Sequence, residues 1–177
     1  MRIDNTPYEM LTEQERALTK DELEIVHWPD FMQRDAVEVQ YWPNLIKDFA
    51  EYQFGIFETG DIVGIANTIP LAMDLDEPDY NDNGWDWAIK KGFADKKAGL
   101  TPNVLCGLQI GIGNDHQGKG LSMHFIECMK VIARRNDLKA VILPIRPTLK
   151  HKYPLISMED YVSWQNDDGQ PFDPWIR

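Results

Sequence analysis

The spacing of apolar residues changes along the chain, and two stretches alternate as strands do. Tyr52 to Phe57 and Ile62 to Ile69 are rich in β-branched and aromatic residues. The intervening ETGD contains a glycine suited to a tight turn, so the pattern predicts an antiparallel hairpin. The run VLCGLQIGI, Val104 to Ile112, predicts another strand. Its glycines indicate a bulge, or a surface that another group approaches closely.

Helical spacing marks four further segments. Thr12 to Val26 predicts one or two exposed amphipathic helices, and Asn44 to Ala50 predicts a short helix. Trp85 to Lys97 is helical in pattern and follows an acidic, turn-rich stretch. Leu121 to Arg135 carries its apolar residues on one stripe, which is typical of a helix that packs on a core.

The last third of the chain has weaker signals. Ala140 to Ile145 predicts a short buried strand. Ser157 precedes Asp160 by three residues, which predicts a capped short helix that ends near Trp164. Glycine and prolines then disfavour regular structure. We therefore expect a single domain over residues 1–177, with an irregular tail at 165–177.

Composition narrows the classes of function. The 177 residues include 18 basic and 29 acidic side chains, and this formal charge of −11 argues against a nucleic-acid partner. Neither a signal-peptide pattern nor an apolar run of about 20 residues is found, so we expect a cytoplasmic protein without a membrane partner. The segment Asp79 to Gly84 copies the start of an EF-hand loop, but Lys90 replaces the glutamate at its twelfth position, so no metal is expected.

The segment NDHQGKGLS, residues 114–122, lies between a predicted strand and a predicted helix, where phosphate-binding loops occur. Counted from Gly113, it has the glycine and lysine of a nucleoside-triphosphate loop, but Gly120 replaces the hydroxyl residue that binds Mg²⁺. Counted from Gly111, it starts like a dinucleotide fingerprint, but His116 replaces the third glycine. A glycine turn that only starts a structural helix is a further alternative.

Counted from Gln117, the letters QGKGLS resemble the Q/R-x-x-G-x-G/A loop of the GCN5-related N-acetyltransferases. The order of elements over residues 10–164 is also similar to that family: helices, hairpin, glycine-containing strand, loop, helix and buried strand. The resemblance implies an α/β (α+β) fold with a mixed, mostly antiparallel sheet. It also implies helices that flank the sheet and a splay at the cofactor-binding strand.

The resemblance further implies an acyltransferase of the N-acetyltransferase type that uses acetyl-CoA or another acyl-CoA. The acceptor is expected to be a small molecule or a carrier-linked group. Tyr153 and Tyr161, after the last clear strand, are the candidate acids for the leaving thiolate. No base is assigned. The residues implied in coenzyme A binding are Gln109, Ile110, Gly111, Ile112, Gln117, Gly118, Lys119, Gly120, Leu121 and Ser122.

Two departures from the family pattern leave alternatives open. The segment from Leu71 to Pro102 is a long connection, with Trp85 and Trp87 as walls of an acceptor site or as core residues. Members of the family usually end in two more strands, and nothing after Trp164 predicts a strand pair. The tail is irregular, or a homo-oligomer completes the sheet, or the C-terminal end is shortened. A non-catalytic coenzyme A-binding protein with an incomplete acceptor site is therefore the alternative function.

Overall fold

A computed structural model of the chain describes residues 2–3, 6–10 and 35–177. The chain forms two compact units, Met1–Leu143 and Pro144–Arg177. The helices predicted for Thr12 to Val26 lie outside the described residues. Within the described part of the chain, no helix has the length and apolar character that crossing a bilayer requires.

The first unit is built on a six-stranded sheet whose strands follow one another in chain order. Neighbouring strands are antiparallel, except that the last two are parallel. This confirms the predicted mixed, mostly antiparallel sheet. The strands are β1 (Arg2–Ile3), β2 (Thr6–Met10), β3 (Gln53–Glu58), β4 (Asp61–Leu71), β5 (Val104–Ile112) and β6 (Ala140–Ile142).

The predicted hairpin is formed by β3 and β4. Thr59 and Gly60 connect the strands, with φ of 52° and 103°, and Glu58 pairs with Asp61. Two consecutive positive φ values match the right-handed twist of the paired strands. A register shift between Ile56 and Phe57 leaves Val63 without a partner on β3, and the pairing beyond this shift places Gln53 directly opposite Asn67.

Three helices belong to the described part of this unit: α1 (Ala36–Asp48), α2 (Gly84–Lys97) and α3 (Leu121–Arg135). The boundaries of α3 agree with the prediction, and α2 starts one residue earlier than predicted. The prediction for the first helix, Asn44 to Ala50, was wrong at its start. Asp35 caps α1, because its Oδ1 accepts hydrogen bonds from the N–H groups of Val37 (2.7 Å) and Glu38 (3.1 Å).

The helices cover both faces of the sheet. Phe125 of α3 packs against Phe54, with ring centroids 5.8 Å apart. On the opposite face α2 lies so close to β4 that a Cβ at Gly92 would overlap the side chain of Ile69. Side chains alternate along a strand, so Asn67 shares the α2 face with Ile69.

One extra residue interrupts the pairing of β4 with β5. Asn67 is opposite Gln109 and Thr68 is opposite Gly107, which leaves Leu108 without a partner in the register. This is a β-bulge, as the glycines of this strand predicted. The Leu108 carbonyl accepts a hydrogen bond from the indole N–H of Trp85 at 2.9 Å. Trp85 and Trp87 also pack against the core, so both serve as core residues.

The second unit contains α4 (Met158–Val162) and an aromatic cluster. The Ser157 hydroxyl accepts a hydrogen bond from the Asp160 N–H at 3.0 Å, which confirms the predicted cap. After Trp164, the described pairing consists of an isolated antiparallel bridge between Gln165 and Pro171. The cluster consists of Tyr153, Tyr161, Trp164 and Phe172.

Candidate functional site

The parallel strands β5 and β6 pair over only three residues each. Pairing runs from Val104 with Ala140 to Cys106 with Ile142. Beyond Cys106, β5 continues to Ile112, and no strand of the described chain pairs with that edge. Pro144 follows two residues after the end of β6, and proline lacks the N–H that would extend the ladder. The sheet therefore forks between the two strands.

The backbone of β5 presents polar groups to this fork. The Gly113 N–H donates to the Val63 carbonyl at 3.0 Å. Bonded and non-bonded pairs alternate along an antiparallel ladder, so Gly111 and Gln109 also bond to β4. Ile110 and Ile112 consequently direct their N–H and C=O groups away from β4. Only these two of the four predicted strand residues offer main-chain groups to the fork.

The loop after β5 leads directly into the N-terminus of α3. Gly118 and Gly120 have φ of 72° and 77°, which is the left-handed region that glycine adopts without strain. A Cβ added at either position would meet no atom within 4 Å, so these glycines do not fill a packed site. Their role is to shape the backbone and to leave open the space beside it.

The start of α3 has free donors. Among the described residues no acceptor is found for the main-chain N–H groups of Lys119, Gly120, Leu121 and Ser122. Gly120 holds the cap position and provides no side-chain cap. Free N–H groups at the positive end of a helix dipole favour an anion such as a diphosphate. The loop therefore has the donors that a diphosphate group would need.

Two side chains hold this loop in place. Gln117 Nε2 donates to the Ile112 carbonyl at 3.2 Å and to Asn114 Oδ1 at 3.4 Å, which ties the loop to the end of β5. His116 Nδ1 lies 3.4 Å from Glu58 Oε2, so the loop also contacts the hairpin. The side chain of Gln117, predicted as a cofactor contact, is thus engaged in positioning the loop.

The two predicted acid tyrosines lie in the second unit, in different environments. The Tyr161 hydroxyl is buried and donates to Asp173 Oδ2 at 2.7 Å. Burial and this hydrogen bond to the carboxylate raise the pKa of Tyr161 to about 12. The hydroxyl of Tyr153 has no hydrogen-bond partner among the described residues. Of the two phenols, that of Tyr161 is engaged by Asp173, and that of Tyr153 has no partner in the part of the chain that the structure describes.

Asp173 is the polar centre of the second unit. It is 1% exposed, and its carboxylate accepts from the N–H groups of Thr148 (3.1 Å), Leu149 (2.8 Å) and Trp175 (2.9 Å). Burial alone would raise the pKa of Asp173, but the hydrogen bonds to the ionised form outweigh burial and lower it. The carboxylate thus anchors both ends of this unit.

The sequence reasoning missed a row of buried amide side chains across three strands. Gln53 on β3, Asn67 on β4 and Gln109 on β5 stand directly opposite one another. Asn67 Nδ2 donates to Gln53 Oε1 at 3.0 Å. Polar residues within otherwise apolar strands were the available signal, because a buried amide requires partners.

No family model matches the chain. Among curated proteins, the arginine N-acetyltransferase avaD of Aspergillus versicolor is 29% identical over 166 residues. The match covers 85% of this chain and 57% of that relative, so the chain spans less than two thirds of the relative's length.

Solved structures show the same fold. The loading GNATL domain of CurA from Lyngbya majuscula superposes with a TM-score of 0.71 at 17% identity, over 97% of this chain and 80% of that one. A GNAT-like decarboxylase, GphF, in complex with isobutyryl-CoA, gives a TM-score of 0.50 at 18% identity, over 85% and 80%. At these identities the likeness concerns the fold alone.

Proposed function

We propose that this chain is an acyl-CoA-dependent N-acyltransferase of the GCN5-related N-acetyltransferase superfamily, a proposal that its similarity to a curated N-acetyltransferase and its fold support. Acetyl-CoA is the proposed donor, and the acceptor is a small-molecule or carrier-linked amine. The relative named as an arginine N-acetyltransferase makes free arginine the first acceptor to test.

One observation carries the proposal: the unpaired edge of β5 leads without interruption into the free N–H groups of Lys119 to Ser122. An elongated ligand could pair an amide-containing arm with the unpaired edge of β5 and place a diphosphate at the N–H groups of the loop. A nucleoside triphosphate bound with Mg²⁺ would need a hydroxyl where Gly120 stands.

The residues of the site have distinct roles in this proposal. The N–H groups of Gly120 and its neighbours bind the diphosphate, and the exposed Lys119 adds positive charge. Ile110 and Ile112 bond to the pantetheine arm in the way a further strand would. The fork closes where Cys106 pairs with Ile142, so an arm that enters from the loop places its reactive end near the Leu108 bulge.

Bound acetyl-CoA supplies a thioester that an amine attacks. The chain must then hold the amine in its neutral form, stabilise the developing oxyanion, and let the thiolate acquire a proton. The resemblance assigns the last step to a tyrosine, and the free hydroxyl makes Tyr153 the preferred candidate over Tyr161.

Ligand-dependent melting tests the cofactor. At 100 times its Kd, a ligand stabilises the folded state by about 2.7 kcal/mol. For a chain of this length we expect Tm to rise by roughly 5 to 10 °C with acetyl-CoA or CoA, and no rise with ATP or NAD. A rise with ATP or NAD, and none with CoA, would contradict the loop assignment.

Thiol release from acetyl-CoA tests transfer. We expect release that depends on the amine across a panel that includes arginine. Cofactor binding without thiol release from any amine would instead favour a non-catalytic coenzyme A-binding protein.

Paired tyrosine variants test the acid. We expect Tyr153→Phe to lower kcat about 100-fold or more, the usual contribution of a positioned general acid, and to leave acetyl-CoA affinity unchanged. Tyr161→Phe should lower Tm instead, because it removes the bond to Asp173. Steady-state kinetics and melting curves on both variants separate the two roles. An unchanged kcat for Tyr153→Phe would rule out that residue as the acid.

A further inference from the structure

We infer that Asn67 and Gln109 form a neutral amide pair that aligns the reacting groups: Gln109 Nε2 donates to the thioester carbonyl oxygen, and Asn67 Oδ1 accepts from an N–H of the attacking amine. This inference rests on the proposed function. It adds a role for Asn67, which the resemblance does not name, and a side-chain role for Gln109, which the resemblance places on the cofactor-binding strand.

The hydrogen bonds of the amide row fix which atom of Asn67 is free. Gln53 Nε2 donates to the carbonyls of Phe49 (2.7 Å) and Thr68 (3.0 Å), so its other side-chain atom, Oε1, is an acceptor. Asn67 must turn its NH₂ group towards that acceptor. Its Oδ1 is therefore left as an acceptor that faces away from Gln53.

Both free atoms are buried. Asn67 is 3% exposed and Gln109 is 8% exposed. Asn67 Oδ1 and Gln109 Nε2 are fully covered, yet neither has a hydrogen-bond partner among the residues that the structure describes. A buried amide group without a partner costs about 1–3 kcal/mol. A free acceptor and a free donor on directly opposite residues, with Cβ atoms about 5 Å apart, fit a ligand that donates to one and accepts from the other.

The amide pair lies close to the closed end of the fork between β5 and β6, where the reactive end of the cofactor is proposed to lie. Gln109 immediately follows the bulge at Leu108 and lies three residues beyond Cys106, the last residue of β5 that pairs with β6. Both side chains lie on the α2 face of the sheet, opposite the face that α3 covers. An amine that approaches on the α2 face would meet Asn67, while the thioester at the fork would meet Gln109.

Acyl transfer to an amine favours neutral side chains at positions 67 and 109. The amine nitrogen bonds to the thioester carbon, the C–S bond breaks, the sulfur gains one proton, and the nitrogen loses one. An amide neither supplies nor removes that proton. A carboxylate at position 67 would favour a protonated amine, which has no lone pair for attack. Asn67 accepts an N–H and leaves the lone pair free, and Gln109 stabilises the oxygen as charge develops.

Calorimetry with acetyl-CoA and with CoA tests Gln109 without any acceptor. We expect Gln109→Met, which keeps the shape and removes the donor, to lower the affinity for acetyl-CoA about five- to tenfold, the value of one hydrogen bond. Its affinity for CoA, which has no carbonyl at that position, should not change. Equal losses for both ligands, or none, would overturn the role of Gln109.

Asn67 is tested with Asn67→Thr, whose hydroxyl can still donate to Gln53 but which lacks the free carbonyl. We expect kcat with arginine, or with the best amine of the panel, to fall at least tenfold, with unchanged acetyl-CoA affinity. Asn103→Leu is the matched control, because the Asn103 side chain bonds to the backbone of Met73, and the loss of these hydrogen bonds should lower Tm without changing kcat. If Asn67→Thr does not fold, Asn67→Ser replaces it.

The outcomes separate this inference from the function on which it rests. Failure of the wild type to bind either CoA form overturns both. Acetyl-CoA binding without transfer to any amine overturns the proposed activity and the role of Asn67, and the calorimetry still decides Gln109. Transfer at a normal rate by Asn67→Thr overturns the role of Asn67 alone.

Discussion

Gly120→Val is expected to lower acetyl-CoA affinity about 10- to 100-fold, which corresponds to the loss of one or two hydrogen bonds to a charged ligand. The valine must leave the backbone conformation with φ of 77°, and its side chain would occupy open space beside the free N–H groups of Leu121 and Ser122. Isothermal calorimetry measures the effect directly.

Gly99→Val is the matched control for this substitution. Gly99 has φ of 67° and open space around its Cα, and it lies after the end of α2. Both variants should lose a similar amount of stability, about 1–2 kcal/mol for a left-handed residue with a side chain. Only Gly120→Val should lose coenzyme A. Equal affinities in the two variants would show that the loop does not bind the diphosphate.

Asp173→Asn is expected to give the largest loss of stability in the second unit. The substitution replaces a carboxylate that accepts four hydrogen bonds with an amide that turns an NH₂ group towards some of the same donors. A hydrogen bond to a buried charge contributes about 1.5–3 kcal/mol, so we expect a loss of about 3 kcal/mol or more. Near-ultraviolet circular dichroism measures the change, because it reports the packing of the aromatic cluster of Tyr153, Tyr161, Trp164 and Phe172. Asp167→Asn, at an exposed position, is the control.

The stability of the second unit should also depend on pH at both extremes. The lowered pKa of Asp173 means that its contribution is complete above the ordinary value of 3.8 and is lost as pH falls through the folded pKa. The raised pKa of Tyr161 gives a contribution that is present below pH 10 and is lost as pH rises towards about 12. Asp173→Asn should lack the acid transition, and Tyr161→Phe should lack the alkaline one. Wild-type transitions in either variant would contradict these assignments.

Local sequence signals predicted most of the elements that frame the candidate site. Alternation and a turn glycine located the hairpin, and the apolar stripe located α3 to the residue. The start of α1 was missed because Pro43 lies inside the helix, a position that proline normally avoids. The predicted C-terminal limit of β6 was also wrong. The prediction extended to Ile145, whereas the strand is Ala140–Ile142.

The site itself was only partly readable from the sequence. The motif QGKGLS predicted the loop, because backbone positions with positive φ favour glycine and are therefore visible in a short stretch of sequence. The fork between β5 and β6 depends on where pairing stops, and the register of three separate strands brings Gln53, Asn67 and Gln109 into one row. Such long-range pairing is not encoded in any short window. The bond between Tyr161 and Asp173 spans twelve residues without regular pairing and was missed for the same reason.

Leu108 has no partner in the register, so the side chains of β5 alternate between the two faces of the sheet in one order before Leu108 and in the reverse order after it. Cys106 and Gln109 are three residues apart and yet share a face, because their partners Ile69 and Asn67 are two apart. Deletion of Leu108 would restore a continuous ladder with Gly107 opposite Thr68 and Gln109 opposite Asn67, so the residues from Gln109 onwards would keep their partners and their faces. The cost of that deletion should be the hydrogen bond that the indole of Trp85 donates to the Leu108 carbonyl.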